Sequence, residues 1–475
     1  DSLPSRGLGD VYKRQTYLYQ IIFLPQICHL CHLISRKMSS RNCETSPHKS
    51  NHCLAVNQEP CYCLNVNVKN IEGNRTTGYS KEYFLMFKKI ITLIILLLLA
   101  LTAGVFIFAP AIVDRQMNPV SAHDLFKISE EAKALHETLI VGDWHADSTL
   151  WNRDLSQQYK YGHVDIPRLQ KGNVGLQMFT TVTKSPAGQN YEENETNASD
   201  NITSLAILQR WPLRTWDSLA ERALFQADKI HDLVKRDAQN VMLIQYQSDL
   251  DNWSNRRIAN PSLIGALIGT EGSHALDGNL ENIKRLYDHG FRMMSLQHFF
   301  DNKLGGSLHG TSGEGLTDFG HQAIEEMLDL DIIIDLSHSS ENVVRDVLEM
   351  SDQPLVISHT GFKGHCPSAR NIDDQLMQQI AARGGLIAVG FWDAAICDNS
   401  PKVVAEAIKY GIDLIGADHV SLGSDFDGTI TPGFDSSELI AITHELLALD
   451  ITYDEVKLVM GENMFRFLKE NLPKK

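Results

Sequence analysis

Short apolar segments rich in β-branched residues alternate with amphipathic helical segments from about residue 139 to the end of the chain. This alternation is typical of a parallel sheet, because each strand needs a crossover, usually a helix, before the next strand can run in the same direction. Helical spacing of apolar residues is clearest in residues 279–288, 322–330, 340–350 and 373–383. The predicted strands are residues 138–143, 174–182, 263–269, 292–297, 332–336, 355–358, 386–391 and 420–423.

Eight strand–helix units within roughly 340 residues favour a closed (β/α)8 barrel of the TIM type over an open, doubly wound sheet. No Gly-rich phosphate-binding turn follows the first predicted strand, which argues against a nucleotide-binding domain. The longest interval, residues 183–258, exceeds what one crossover helix needs. We interpret it as an elaborated loop at the mouth of the barrel, with a helical stretch at residues 205–233. The predicted fold class is α/β, with residues 121–475 forming one barrel domain.

A strongly apolar, uncharged segment at residues 90–113 precedes the barrel. At about 1.5 Å per residue it is long enough to cross the ~30 Å hydrocarbon core of a membrane. Lys88 and Lys89 stand just before it, so the positive-inside rule keeps the N-terminus in the cytoplasm. We therefore predict a signal anchor and linker at residues 86–120. The barrel is then expected outside the cytoplasm, on the periplasmic or extracellular face.

Residues 1–85 show no sustained helical or strand period, and they begin with a stretch that resembles translated adapter sequence. We interpret them as a non-native or untranslated, disordered leader, with Met86 as the native start. Six of the eight cysteines lie here, so a metal or disulfide module is the alternative, although the spacings fit no zinc pattern well. The sequence Ala109-Pro110-Ala111 resembles a signal cleavage site and leaves processing of the anchor open.

The overall composition restricts the class of partner. The net charge is −16, from 43 Lys and Arg against 59 Asp and Glu, which argues against nucleic acid as the main ligand. A hydrophobic content of 43% with 21% charged residues is typical of a globular protein. The sequence leaves the oligomeric state open, with a homodimer as one candidate.

Residue types that bind metals stand at the ends of five predicted strands. Because the carboxyl ends of barrel strands converge on one face, we expect these side chains to meet. A single His or Asp after a strand is more often a helix cap or a satisfied polar group, but five strands together favour a shared site. Three imidazoles and several carboxylates suit Zn²⁺, and a carboxylate shared by two ions would give a two-metal hydrolytic site. The residues are His145 and Asp147 on the first strand, Glu271 on the third, His338 on the fifth, His359 on the sixth and Asp425 on the eighth.

Seven short motifs follow one another along the predicted barrel. Together they resemble the membrane dipeptidase (renal dipeptidase) family of zinc metallopeptidases, and its bacterial branch most closely. The resemblance extends over roughly residues 139–472 and does not include the leader. The motifs are His145-X-Asp147, Gly269-Thr-Glu271-Gly272, His298-Phe-Phe-Asp-Asn302, Ile334-Asp-Leu-Ser-His338, Ile357-Ser-His359-Thr360, Arg370-Asn371 and Gly423-Ser-Asp-Phe-Asp-Gly428.

The resemblance implies a metal-dependent hydrolase barrel of the amidohydrolase-like kind that holds two zinc ions. His145 and Asp147 are expected to bind one ion, His338 and His359 the other, and Glu271 is expected to bridge them. The implied activity is hydrolysis of dipeptides, with a metal-bridging hydroxide attacking the peptide carbon.

Three further residues are predicted to act on the substrate. Asp425 is expected to carry a proton from water to the departing amine, with service as a sixth metal ligand as the alternative. His298 is expected to stabilise the oxyanion and to contact the substrate, although the phenylalanines after it also suit a core histidine. Arg370 offers a planar fork for the free carboxylate of a dipeptide, and a surface ion pair is its alternative.

Other functions stay open at this point. A related two-metal amidohydrolase acting on N-acyl amino acids or β-lactams would carry a similar site. A catalytically inactive barrel used for binding is a third candidate, against which the complete ligand set argues.

Cys366 and Cys397 are expected to form a disulfide. They are the only cysteines of the barrel domain and follow neighbouring strands, and export supplies an oxidising compartment. A cysteine pair also occurs at like positions in the family that the sequence resembles. Two buried free thiols are the alternative.

Overall fold

The computed structural model describes residues 77–475, and the predicted leader lies outside the described residues as far as residue 76. Helix α1, Thr77–Met117, is long and apolar enough to cross a membrane over Glu82–Met117. It begins before Met86, so residues 77–85, which were predicted to belong to the leader, are helical, and Met86 as the native start stays a prediction.

Residues 106–475 form a compact unit built on nine parallel strands, in which helices mostly follow the strands along the chain. The strands are β1 Val141–Ala146, β2 Val174–Val182, β3 Val241–Leu243, β4 Ile264–Glu271, β5 Phe291–Ser295, β6 Ile333–Asp335, β7 Val356–Thr360, β8 Leu386–Val389 and β9 Val420–Leu422. The α-helices after α1 are α2 Glu130–His136, α3 Ile166–Lys171, α4 Asn201–Leu208, α5 Arg214–Asp217, α6 Leu219–Arg236, α7 Gln247–Ala259, α8 Glu281–Asp288, α9 Asp318–Asp329, α10 Glu341–Met350, α11 Asp374–Ala382, α12 Asp393–Ile396, α13 Pro401–Ile415, α14 Ile440–Ala448, α15 Tyr453–Lys457 and α16 Asn463–Asn471.

Eight of these strands form a barrel in the order β1-β2-β4-β5-β6-β7-β8-β9. A parallel bridge between Ala146 and Phe426 joins the segment after β9 to the end of β1, and the Asp147 N–H donates to the Phe426 carbonyl at 2.9 Å. The predicted (β/α)8 architecture is therefore confirmed, and each of the eight predicted strands forms.

The ninth strand, β3, was not expected from the sequence. It pairs with the start of β4, where Val241 lies opposite Ile264. The interval before it holds more regular structure than the predicted loop, and the expected helical stretch is divided among α4, α5 and α6. The division falls around Pro212, whose missing N–H and fixed φ do not suit a helix interior.

The barrel strands are buried on both faces, as expected for parallel strands covered by helices. In β8, Leu386 and Ala388 belong to one apolar cluster that also contains Met464 and Phe467 of α16. The alternate residues of β8 belong to a second, larger cluster that includes apolar residues of the surrounding helices. The two faces of β8 are thus each fixed by apolar packing.

The predicted disulfide is present. Cys366 and Cys397 are bonded at 2.05 Å, with their Cα atoms 5.5 Å apart. The bond joins the segment after β7 to the segment after β8, beside the carboxyl ends of both strands. The alternative of two free thiols is therefore wrong.

Candidate metal centre

Glu271, the last residue of β4, lies at the centre of a cluster of imidazoles. Its Oε1 atom is 3.2 Å from His338 Nε2 and 3.4 Å from His359 Nε2. The same oxygen is 3.5 Å from His298 Nε2 and 3.6 Å from His145 Nε2. All five side chains are buried. His145 and His359 lie on β1 and β7, and His298 and His338 follow β5 and β6 by three residues, so barrel closure brings together residues up to 214 positions apart in the chain.

Two aspartates complete the cluster around His145. Its Nε2 atom is 3.5 Å from Asp147 Oδ1 and 3.9 Å from Asp425 Oδ1. Asp425 has a φ of 58°, in the left-handed region that only a few per cent of non-glycine residues adopt. An added Cβ at Gly428 would lie 2.2 Å from Asp425 Oδ1, so glycine leaves room for this carboxylate. Every predicted ligand residue is thus brought into one site.

The ligand atoms fall into two groups that share Glu271. One group contains His145, Glu271, His359 and Asp425, and the other contains Glu271, His298 and His338. This grouping differs from the expected division, in which His359 accompanies His338 and Asp147 accompanies His145. Asp147 belongs to neither group, and Asp425 and His298 take part although neither was among the expected ligands. Nevertheless, the Nε2 atoms of His338 and His359 are only 2.9 Å apart. Two imidazole lone pairs at that distance repel each other unless a proton or a cation lies between them.

The Ser358 hydroxyl sets the orientation of two imidazoles. It donates to Asp335 Oδ2 at 2.7 Å, which leaves it two acceptor lone pairs. The Nδ1 atoms of His145 and His359 lie 3.1 Å and 3.0 Å from it. Both Nδ1 atoms therefore carry the proton, and both Nε2 lone pairs are directed toward Glu271, as metal ligation requires. His145 Nε2 makes no hydrogen bond to any described residue, although it is buried.

A backbone carbonyl orients the imidazole of His298 in the same way. Its Nδ1 is 3.0 Å from the Lys184 carbonyl, which only accepts, so Nδ1 carries the proton. The Nε2 atom then presents a lone pair to the site. This atom lies 3.5 Å from Glu271 Oε1, so His298 is part of the polar cluster, and its contact with the substrate stays a prediction.

Burial and like charges dominate the electrostatics of the cluster. Burial, together with Asp147 and Asp425, raises the pKa of Glu271 well above its usual range. Burial and neighbouring Asp147 raise the pKa of Asp425 to about 8, although His145 opposes the shift. Burial lowers the pKa of His359 well below its usual value. Burial also opposes protonation of His145, but Asp147 and Asp425 outweigh it and raise the pKa of that imidazole. Imidazoles beside crowded carboxyls are the donor set that divalent cations such as Zn²⁺ prefer, so the residues present fit a metal centre.

Asp147 is held by a partner that no sequence motif indicated. Thr180, on β2, donates to Asp147 Oδ1 at 2.6 Å. Ser358 and Asp335 were missed in the same way, although both lie inside the quoted motifs. A possible signal was position, since Asp335 ends β6 and Ser358 directly precedes His359. A serine hydroxyl indicates no chemistry until its neighbours are known.

Arg370 lies in the segment after β7 and is only 1% exposed. Its Nη2 donates to the carbonyl of His359 at 2.7 Å, and its guanidinium lies 5.3 Å from the ring centre of Trp392. Within residues 77–475, no carboxylate oxygen lies within 4.0 Å of it, and its buried Nε makes no hydrogen bond there. The surface ion pair considered from the sequence is therefore wrong.

A family model described as membrane dipeptidase, peptidase family M19, matches residues 129–474. The chain belongs to the membrane dipeptidase family. The resemblance found in the seven motifs is thereby confirmed, and the protein is a hydrolase of a dipeptidase-type metallopeptidase family. Buried His, Glu and Asp groups suited to metal ions accompany that membership.

Individual relatives agree with this assignment. Dipeptidase aclJ of Aspergillus oryzae is 28% identical over 351 residues, which are 69% of this chain and 76% of the relative. The probable dipeptidase PvdM from Pseudomonas aeruginosa has a TM-score of 0.61 at 18% identity, over 72% of this chain and 98% of that one. A metallopeptidase from Rhodobacter sphaeroides, solved with a phosphinate mimic of the dipeptide L-Ala-D-Ala, has a TM-score of 0.57 at 23% identity, over 70% and 99%. These structural likenesses show the shared barrel fold.

Proposed function

We propose that the protein is a zinc-dependent dipeptidase with two ions per chain. The observation that carries the proposal is the convergence of four imidazoles on the Glu271 carboxylate at 3.2–3.6 Å in a member of a dipeptidase family. Dipeptides as substrates are further supported by the dipeptide mimic bound to the Rhodobacter sphaeroides metallopeptidase.

In this proposal His145 and Asp147 hold one zinc ion, His338 and His359 hold the other, and Glu271 contacts both. The orientation of the imidazoles supports it, because Ser358 keeps two of these Nε2 lone pairs free to bind. When bound, the ions would lower the pKa of water enough to supply hydroxide near neutral pH and would polarise the peptide carbonyl.

Asp425 moves the proton. Its carboxylate lies 3.9 Å from His145 Nε2, and its pKa of about 8 reflects a buried site where the protonated form is easily reached. A carboxyl group of this kind takes a proton from water and then gives it to the departing amine. Service as a sixth ligand is the alternative, and the retention of zinc after substitution distinguishes the two roles.

His298 and Arg370 bind the substrate. His298 faces Glu271 from the segment after the fourth barrel strand and contacts the substrate through Nε2. Its predicted action on the oxygen that becomes charged during attack requires a proton on Nε2, whereas the Lys184 carbonyl holds the proton of the neutral ring on Nδ1. Arg370 keeps a guanidinium fork in a buried site, with its Nε lacking a hydrogen bond to described residues. Such a fork suits the free carboxylate of a dipeptide.

The remaining sequence predictions complete the proposal. Helix α1 anchors the chain in a membrane, with the barrel on the periplasmic or extracellular face, as Lys88 and Lys89 indicate. Met86 as native start, residues 86–120 as anchor and residues 121–475 as catalytic domain are the proposed division of the chain. The homodimer stays a prediction, which light scattering of the detergent-solubilised protein would check.

The decisive experiment compares hydrolysis of a dipeptide with hydrolysis of its C-terminal amide, after elemental analysis of the purified protein. A dipeptidase should contain about two zinc ions, cleave the dipeptide and spare the amide and tripeptides, because Arg370 positions the scissile bond through the free carboxylate. Equal rates on dipeptide and amide would favour the broader amidohydrolase, for which N-acyl amino acids and β-lactams are the next substrates. Absence of divalent metal and of all turnover would favour the inactive binding barrel.

A further inference from the structure

The C-terminal end of helix α1 is joined to the barrel by a buried chain of charges. Arg153 lies between two carboxylates, with its Nε 2.8 Å from Asp114 Oδ2 and its Nη2 2.8 Å from Asp427 Oδ2. Asp114 is 2% exposed, Arg153 7% and Asp427 0%. A buried ion pair is strongly destabilised when one partner is removed, because the remaining charge is left uncompensated. The helix end therefore contributes a charge on which the barrel depends.

Asp427 is fixed on every side. Its Oδ2 accepts from Ser148 at 2.6 Å, and its Oδ1 accepts from the His163 N–H at 2.7 Å. Its own N–H donates to His163 Nδ1 at 2.9 Å, and its carbonyl accepts from Trp151 Nε1 at 2.7 Å. Arg153 is the cation of this arrangement, and an added Cβ at Gly162 would lie 2.2 Å from Arg153 Nη1. The position of Asp427 is thus set by contacts rather than by its own backbone preference.

The segment held in this way carries Asp425. Asp425, Asp427 and Thr429 all have φ values between 58° and 66°, in the left-handed region. Three such residues in five positions persist only where surrounding structure over-determines them. The residue that directly follows helix α1 supplies a second restraint here, because Asn118 Oδ1 accepts from the Thr429 N–H at 3.1 Å. Asn118 is itself held by Asp114, since its Nδ2 donates to Asp114 Oδ1 at 2.9 Å.

We propose that Asp114 and Asn118, at the end of the apolar helix, are positioning residues that hold the Asp425 carboxylate in place for proton transfer. They act through Arg153 and Asp427 on one path and through Thr429 on the other. The proposal rests on the role of Asp425 proposed above. It assigns the end of the helix to the catalytic machinery, in addition to any part it takes in anchoring.

The test is a double-mutant cycle in the full-length, detergent-solubilised protein loaded with zinc. The variants are Asp114→Asn, Asp425→Asn and the combination of the two, assayed for kcat and KM on one dipeptide, with zinc content and thermal midpoint measured alongside. Asp114→Asn is expected to lower kcat about tenfold, with KM within twofold and zinc retained. Arg115→Gln is the matched control, because Arg115 is the exposed neighbour on the same helix, and it should leave kcat unchanged. Asn118→Ala removes the restraint on Thr429 together with the hydrogen bond to Asp114, leaves the Asp114–Arg153 ion pair in place, and is expected to lower kcat about threefold.

Non-additivity distinguishes positioning from general destabilisation. If Asp114 acts through Asp425, the double variant should be no slower than Asp425→Asn alone. Additive losses, an unchanged kcat in Asp114→Asn, or an equal loss in Arg115→Gln would overturn the proposal. If Asp114→Asn fails to fold, the same cycle is measured with Asn118→Ala in its place. An unchanged kcat in Asn118→Ala would then overturn the proposal. An unchanged kcat in Asp425→Asn would instead refute the proposed role of Asp425, so the two failures are distinguishable.

Discussion

Ser358→Ala tests whether one hydroxyl orients two metal-binding imidazoles. The substitution removes the acceptor that lies 3.1 Å from His145 Nδ1 and 3.0 Å from His359 Nδ1. It also removes the donor to Asp335 Oδ2, whereas the N–H groups of Ser337 and Ser358 stay on Asp335 Oδ1 at 3.0 Å and 2.9 Å. The loss at Asp335 affects the stability of the fold, and the loss at the two imidazoles, whose tautomers are no longer fixed, affects metal binding.

The magnitude follows from counting those hydrogen bonds. Each contributes about 1 kcal/mol net, so the two together give about 2 kcal/mol. At 1.4 kcal/mol for each tenfold change, zinc affinity should fall about 30-fold, within the 10–100-fold range typical of groups that orient metal ligands. The backbone and the five predicted ligands are unchanged, so the fold should be retained.

The assay is zinc competition against a chelating dye, with near-UV circular dichroism to confirm folding. Ser421→Ala is a matched control, because Ser421 is a fully buried serine on β9 whose hydroxyl makes no hydrogen bond to described residues. Its zinc affinity should stay within twofold of the unmodified protein. Wild-type affinity in Ser358→Ala, or an equal loss in Ser421→Ala, would show that the hydroxyl does not orient the ligands.

Four further predictions address the site and the stability of the fold. Glu271→Gln should lose zinc and activity together, because a neutral amide is a poor ligand for two cations, and elemental analysis with a dipeptide assay checks this. Asp425→Asn should keep zinc but lose ~10²-fold in kcat, since it removes a proton carrier, and loss of zinc would identify a ligand instead. Arg370→Lys should lower kcat/KM on dipeptides by ~10- to 100-fold, because the bidentate fork is lost, while rates on dipeptide amides change little. Burial lowers the pKa of His136 to about 4, so the free energy of unfolding is highest above pH 6.5 and decreases as pH falls toward 4. His136→Gln should abolish this decrease, which is on the order of 3 kcal/mol. Denaturant unfolding of both proteins at pH 7 and pH 4.5 checks it.

The sequence determined the architecture and the chemical types in the site. Strand and helix periodicity is local, so the eight barrel strands and helices such as α10 and α11 were predicted within a few residues of their ends. Because the carboxyl ends of barrel strands always meet, the position of Glu271 at the end of a strand was enough to place it among the imidazoles. Short elements such as β3 lack a readable period and depend on pairing with a neighbour.

Only the tertiary structure decided which side chains support that site. Ser358 contacts His145 across 213 positions, and Asp114 reaches Asp427 through Arg153 across the junction where β9 meets β1. Neither residue type indicates such a role in sequence, because a hydroxyl or a carboxylate is informative only when its partners are known. The physical reason is that these contacts depend on closure of the barrel, which brings distant segments within hydrogen-bonding distance, whereas periodicity records only what neighbours in the chain require.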